Sequence, residues 1–296
     1  MPLHKILNKI SINLSIKFFG ARLPLSYVFF NTIFKWFIIN KNINNEFIKK
    51  YYEDGFVKLD LNLADELDHI KEKMTPQGKN EKKQNLRLDE ITQNHLKKIL
   101  IKKFDKTFKD LEKYFNSNIV IANVNLFRNH HASNIVEGES EQVYSNYYHN
   151  DGYVLTYFKI FINLMDVGEK DGPLHIVYKK KTKVFFNESK YKDRYNYIPV
   201  ENDKLIYKNT GKYGECFLFS TPECIHKAGI PDNFRDILQL TLIASPDSKI
   251  KNENLNIFRD NSNLIFTTKP YTVMKVFNLL IKHFDFRKKS LLRSQN

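Results

Sequence analysis

The chain has 296 residues, 42% of them hydrophobic and 14% aromatic, enough to bury a sizeable core rich in β-forming side chains. Its 47 Lys and Arg against 33 Asp and Glu leave a net charge of +14, and only two cysteines speak against a disulfide-built secreted scaffold. Lys17, Arg22, Pro24 and Lys35 interrupt the aromatic stretch from Ile12 to Ile39. No uncharged run there reaches the roughly 20 residues that a spanning helix needs.

That stretch also lacks a small-residue cleavage site, and positive charges recur within it, so it does not read as a secretory leader. Two readings stay open: helices packed on the rest of the chain, or an interfacial surface resting on anionic lipid. Asn44 to Glu53 predicts a short helix with Phe47, Tyr51 and Tyr52 on one side, ending near Gly55 before a strand at Phe56 to Leu59. Leu63 to Met74 predicts a second helix, and the polar tract from Thr75 to Lys83 a loop. From Asp89 to Phe115 the apolar residues Ile91, Leu96, Leu100, Phe104, Phe108, Leu111 and Phe115 recur at helical spacing, predicting a long amphipathic helix that backs a sheet.

Strands are predicted at Ile119 to Arg128, Tyr157 to Leu164, Gly214 to Ser220 and Ile237 to Ala244, where aromatic and β-branched residues concentrate. Asp171-Gly172-Pro173 and Thr221-Pro222-Glu223 are turn signals between them. The tail, Tyr271 to Leu292, places Val273, Val276, Phe277, Leu280, Ile281 and Phe284 at helical spacing with basic residues between. Positive charge gathers at Lys179-Lys180-Lys181-Thr182-Lys183 and at Arg287-Lys288-Lys289 with Arg293. Such clusters are either a solvated surface or an attractor for polyanions and anionic membranes.

Tyr148-His149-Asn150-Asp151-Gly152 carries the chemistry. Residues at i and i+2 of an extended segment share a face, so His149 and Asp151 can grip one ion, with His226 as a later third ligand. Two imidazoles and one carboxylate leave the far side of a metal open, which suits non-heme Fe(II) rather than closed structural zinc. His-x-Asp alone is common, so its weight comes from its surroundings. His130 and His131 read as a surface pair, and His175 as structural or as part of a substrate pocket. Cys216 and Cys224 are expected as reduced thiols of a cytoplasmic protein.

Four pieces in order, His149-Asn150-Asp151-Gly152, Phe161-Ile162-Asn163-Leu164-Met165-Asp166-Val167 with Asp171-Gly172-Pro173-Leu174, Phe217-Leu218-Phe219 with His226, and Arg235, resemble the phytanoyl-CoA dioxygenase-like family of Fe(II)- and 2-oxoglutarate-dependent oxygenases. The resemblance spans residues 44 to 245. It implies an all-β core with flanking helices (α+β), namely a double-stranded β-helix, the jelly-roll or cupin-like barrel, with helices packed on one sheet. It implies further that His149, Asp151 and His226 hold Fe(II), and that Arg235, nine positions beyond His226, binds the far carboxylate of 2-oxoglutarate. A planar guanidinium grips a carboxylate with two parallel hydrogen bonds, which Lys cannot do. Asn125 and Arg128 match secondary cosubstrate contacts by position alone.

The resemblance further implies O2 as co-reactant. Asp151 favours hydroxylation over halogenation, because halogenating relatives carry a small residue there. Where the family has a Gly-Ser-His segment this chain has Tyr178-Lys179-Lys180-Lys181, so its substrate is its own: a small molecule, a lipid or a glycan-linked group. The expected organisation is an amino-terminal helical extension at 1–43, a dioxygenase domain at 44–250 and a basic amphipathic extension at 251–296. Nucleic acid is not an expected partner, whereas peripheral contact with an anionic membrane is. Two alternatives stay open: a barrel without catalysis that works as a membrane-associated binding or scaffold protein, and a cupin-type metalloenzyme that does not use 2-oxoglutarate. Intact ligands argue against the first and Arg235 against the second.

Overall fold

The structure, a computed structural model, describes residues 10, 25–77, 82–132, 145–152, 154–189, 198, 202–259 and 273–293. Its elements are α1 (Leu25–Ile33), continued by a π-helical turn (Phe34–Ile38), α2 (Glu46–Asp54), β1 (Phe56–Asn62), α3 (Ala64–Lys71), β2 (Thr75–Gln77), β3 (Lys83–Arg87), α4 (Glu90–Phe115) and β4 (Asn118–His130). They continue with β5 (Tyr157–Asn163), β6 (Leu174–Val177), a 3-10 turn (Lys179–Lys181), α5 (Thr182–Ser189), β7 (Ile206–Asn209), β8 (Glu215–Phe219), β9 (His226–Ala228), β10 (Phe234–Ser245) and α6 (Val273–Arg293).

The local signals behave as their chemistry requires. The Asn45 side chain accepts a hydrogen bond from the Ile48 N–H at the start of α2, and Gly55 ends that helix at φ 81°, a conformation that side chains resist. The Asp89 carboxylate accepts from the Thr92 N–H at 2.8 Å and so caps α4.

The strands form a larger sheet ordered β1-β8-β5-β10-β4-β3-β2 and a smaller one ordered β7-β6-β9. The segment at His149 joins the smaller sheet by an antiparallel bridge to His226 on β9. Four strands of the larger sheet, β4-β10-β5-β8, thus face four in the smaller, β7-β6-β9 and the His149 segment. The chain crosses between the sheets at nearly every connection from β4 to β10, the winding of a double-stranded β-helix.

One face of the larger sheet is covered by α4. Phe158, Ile160, Ile162, Leu218, Leu238, Leu240 and Leu242 bury against Leu96, Leu100, Phe104, Leu111 and Phe115, and the rings of Phe115 and Phe158 stack at 5.1 Å. Both terminal segments join the same core, α1 and its π-turn through Phe30, Phe34 and Ile38 and α6 through Val276 and Leu280.

Two expectations need correction. The polar tract from Thr75 is not simply a loop: its ends pair as β2 and β3, Thr75 opposite Arg87, because β3 extends the edge of β4. The lysines after β6 are not simply solvated either. Lys179 donates to the Tyr52 carbonyl at 2.8 Å and pairs with Glu223 at 2.9 Å, while Lys180 pairs with Asp54 at 2.7 Å. Residues 12–24, 78–81, 133–134 and 271–272, on which further expectations fell, lie outside the described residues. Among the described residues no helix is long and apolar enough to cross a membrane.

Candidate metal centre

The barrel brings together two histidines that the sequence separates by 77 positions. His149 N–H donates to the His226 carbonyl at 2.9 Å and His226 N–H to the His149 carbonyl at 2.9 Å, a reciprocal pair that sets the imidazoles side by side. Their ring centroids are 4.5 Å apart. Asp151 reaches the same point: its Oδ1 lies 3.6 Å from His149 Nε2 and 3.9 Å from His226 Nε2. Of the described residues these three form one metal-capable cluster, with ligand atoms all within 4.8 Å of one another.

Each imidazole is held in the tautomer that a metal needs. His149 Nδ1 is 2.7 Å from the Tyr147 carbonyl and His226 Nδ1 is 2.9 Å from the Cys224 carbonyl. A carbonyl only accepts, so each Nδ1 carries the proton and each Nε2 keeps its lone pair toward the shared point. Burial first, and then the neighbouring His149, push His226 down to about 3, so it stays neutral. Burial works to raise the Asp151 carboxyl, but Lys159 and the two imidazoles outweigh it and hold the group well below the usual carboxylate range.

A metal bonded at about 2.1 Å to three ligands at right angles sets those ligands about 3 Å apart, so a modest contraction closes this triad on an ion. Two neutral nitrogens and one carboxylate oxygen on one side fit a divalent transition metal with open positions opposite.

The turn before His226 is anchored in depth. Asn150 Nδ2 donates to the Pro222 carbonyl at 2.7 Å, and buried Glu223 takes Lys179 and, at 3.8 Å, Lys35 from the amino-terminal segment. Aromatic rings fill the neighbouring interior: Phe219 meets His226 edge-on at 5.3 Å and Phe161 at 5.2 Å. They set an apolar wall beside His226.

The residues expected for a cosubstrate fall differently. Arg235 is buried, opposite Asn129 in the β10–β4 register, and its guanidinium donates to the Gly172 carbonyl. Alternation along β10 puts Arg235 on the same face as Thr241, whose partner on β5 is Lys159. Asn125, opposite Gln239, occupies a position of that face too. Arg128 does not. It lies opposite Asp236 and gives it two hydrogen bonds of 2.7 Å while stacking over Phe234, on the other face from Arg235. The even register of β10 turns it away from the barrel interior, which removes it from the cosubstrate set.

His130 lies 3.2 Å from Gln84 Oε1 and His131 2.8 Å from the Pro231 carbonyl, so neither joins the triad. His175 faces the Tyr148 hydroxyl at 3.5 Å. Cys216 and Cys224 are separate buried thiols, each pushed up by burial.

Sequence reading overlooked Lys159, whose Nζ is 2.8 Å from Asp151 Oδ2. Its signal was there: a lone charge inside the apolar strand Tyr157–Asn163 must find a buried partner. Lys83 was also overlooked. Its ammonium sits 4.1 Å over the Phe127 ring, and it is held below the ordinary lysine range by lost hydration and then by repulsion from Lys159.

No family model matches the sequence, and no curated protein matches it. Solved structures do show similarity. One is the non-heme alpha-ketoglutarate-dependent epimerase SnoN from nogalamycin biosynthesis, at 12% identity and a TM-score of 0.43, covering 67% of this chain and 81% of that one. Another is HygX from Streptomyces hygroscopicus with nickel and 2-oxoglutarate bound, at 10% identity and a TM-score of 0.44, covering 74% and 96%. A third is EctD from S. alaskensis with 2-oxoglutarate and 5-hydroxyectoine, at 14% identity and a TM-score of 0.44, covering 79% and 88%. Likeness at this level assigns no activity to the chain.

Proposed function

We propose that the chain is an Fe(II)- and 2-oxoglutarate-dependent dioxygenase of the phytanoyl-CoA dioxygenase-like kind that hydroxylates a small-molecule, lipid or glycan-linked substrate. The observation that carries this reading is the convergence of His149 Nε2, His226 Nε2 and Asp151 Oδ1 on one point, each imidazole fixed in the ligand tautomer. When bound, Fe(II) with 2-oxoglutarate and O2 supplies an oxidant strong enough to hydroxylate carbon, releasing succinate and CO2.

The residues of the chain then have simple tasks. His149, Asp151 and His226 would hold the ion through Nε2, Oδ1 and Nε2. Asp151 remains anionic, so it needs no proton removed before it binds a cation. Lys159 holds Asp151 Oδ2 and leaves Oδ1 toward the imidazoles. Arg235 is assigned the far carboxylate of the cosubstrate, and the Gly172 carbonyl that its guanidinium meets keeps it in place beforehand. Asn125, on the same face, is assigned a secondary polar contact with the cosubstrate. Phe161 and Phe219 narrow the interior beside the site and limit water there.

The test is anaerobic loading with Fe(II), addition of 2-oxoglutarate and then O2, and measurement of succinate. Expected is succinate formation that falls to background in His226→Ala. Iron uptake with no succinate under any substrate mixture, and no 2-oxoglutarate binding by titration, would instead favour a cupin-type metalloenzyme.

A further inference from the structure

Among the described residues the amino- and carboxy-terminal helices share one packing face and leave another exposed. In α6, Val276, Leu280 and His283 are buried, and His283 meets the rings of Phe34 at 4.9 Å and Phe30 at 5.9 Å. A quarter-turn around the same helix, Phe277 is 50% exposed, Ile281 44%, Phe284 41%, Leu291 54% and Leu292 56%. The π-turn repeats the pattern: Phe34 and Ile38 point inward, while Trp36 is 70% and Phe37 57% exposed. An amphipathic helix needs one apolar stripe to pack; α6 carries a second that is exposed among the described residues.

Charge selects what covers this surface. The α6 sequence holds six Lys or Arg against one Asp, with Lys288 set among the exposed apolar residues and Lys282 and Lys289 exposed beside them. Three residues past the π-turn, Lys41 sits 5.2 Å over the Trp36 ring. A second copy docking here would bring like charges together on a chain whose net charge is already +14. An anionic bilayer satisfies both features, because its headgroups take the lysines and its acyl boundary takes Phe and Leu, with Trp at the level between. Among the described residues no helix can cross a membrane, so the contact is along the surface.

We propose that this face, built from the π-turn and α6, seats the protein peripherally on an anionic lipid membrane. The same segment is tied to the metal ligands: Lys35 reaches Glu223, three residues before His226, and Asn31 accepts from the Leu155 N–H at 2.9 Å, just after Asp151. Seating therefore places lipid beside the end of the barrel that carries the triad. The inference stands on the surface alone and holds whether or not the reaction proposed above is correct.

The experiment is flotation of the full-length chain with vesicles of phosphatidylcholine and phosphatidylglycerol in equal parts, and with phosphatidylcholine alone. Two variants are compared, one combining Trp36→Ser, Phe37→Ser, Phe277→Ser and Ile281→Ser, the other Lys282→Glu, Lys288→Glu and Lys289→Glu. Expected is binding to the anionic vesicles that weakens as salt is raised, and at least a tenfold lower partition coefficient in each variant, with melting temperature and metal uptake unchanged. No binding by the unaltered chain, or equal binding by the charge variant, overturns the proposal. It is equally overturned if sedimentation equilibrium shows a dimer that the apolar variant dissolves, since the face is then an interface between copies. If the apolar variant fails to fold, the charge variant and the salt dependence decide.

Discussion

Lys159 and the two imidazoles take different oxygens of Asp151: Lys159 Nζ donates to Oδ2 at 2.8 Å, while Oδ1 faces both imidazoles. Asp151 is thereby set to offer a metal one oxygen rather than two. Losing the groups that orient a ligand typically costs about 10- to 100-fold in metal affinity. Lys159→Met is accordingly expected to weaken Co(II) binding about tenfold, with Lys159→Arg restoring most of it. Titration followed by the Co(II) visible spectrum reads both affinity and coordination number. Unchanged affinity and spectrum in Lys159→Met would reduce Lys159 to a neutralising charge.

A three-ligand site has nothing in reserve. His149→Ala, Asp151→Ala and His226→Ala are each expected to lower iron uptake by about 100-fold or more at equal protein concentration. Metal analysis after anaerobic loading and desalting measures this, and circular dichroism confirms that each variant is folded. Retained iron in any one of them would remove that residue from the ligand set.

Arg235→Ala should separate cosubstrate from metal. A hydrogen bond to a charged group is worth about 1.5–3 kcal/mol, so losing two weakens 2-oxoglutarate binding by roughly a hundredfold or more while iron stays. Calorimetric titration of 2-oxoglutarate into the anaerobic Fe(II) form reads this directly. Full affinity in the variant would return Arg235 to a purely structural tie with Gly172.

Gly172 is predicted to be irreplaceable. It sits at φ 62°, and an added Cβ would lie 2.5 Å from the Pro231 nitrogen and 2.7 Å from the Gly229 carbonyl oxygen. Gly172→Ala is expected to cost about 2 kcal/mol or more, because strain at positive φ and a backbone clash act together. The urea midpoint measures it.

His283 gives the fold an acid limit. It is buried against Ser117 Oγ at 2.9 Å, and burial pushes it down to about 3 from its ordinary 6.5. The unfolded chain therefore takes up a proton there before the folded chain does. Stability is unaffected above pH 6.5 and is lost as pH falls from 6.5 toward 3, at up to about 1.4 kcal/mol per pH unit from this residue. Urea denaturation between pH 7 and 5 should show that slope, and a shallower one in His283→Gln. Equal slopes would place His283 outside the linkage.

The fold and the triad were legible for different reasons. The 3.6-residue spacing from Leu96 to Phe115 and the apolar strands stated which faces are buried, and the sheets follow from them. The cluster was legible because His149 and Asp151 are two apart and His226 follows a turn. Strand parity was not: it turns Arg128 onto Asp236 and away from Arg235, and only the β10–β4 register decides that. The hairpin at Thr75 was hidden because edge strands need no apolar alternation; β2 is exposed throughout. The terminal stretch was legible only as a choice between core and lipid; the helices bury Phe30 and Phe34 in the core and leave Trp36 and Phe37 exposed.

The reciprocal amide bridge between His149 and His226 bears on how the proposed site would behave without an ion. In small zinc modules the metal itself draws the chain ends together, and a chelator unfolds them. Here the backbone has already aligned the two imidazoles, so stripping the ion should empty a standing cradle, and reloading should be fast and free of refolding.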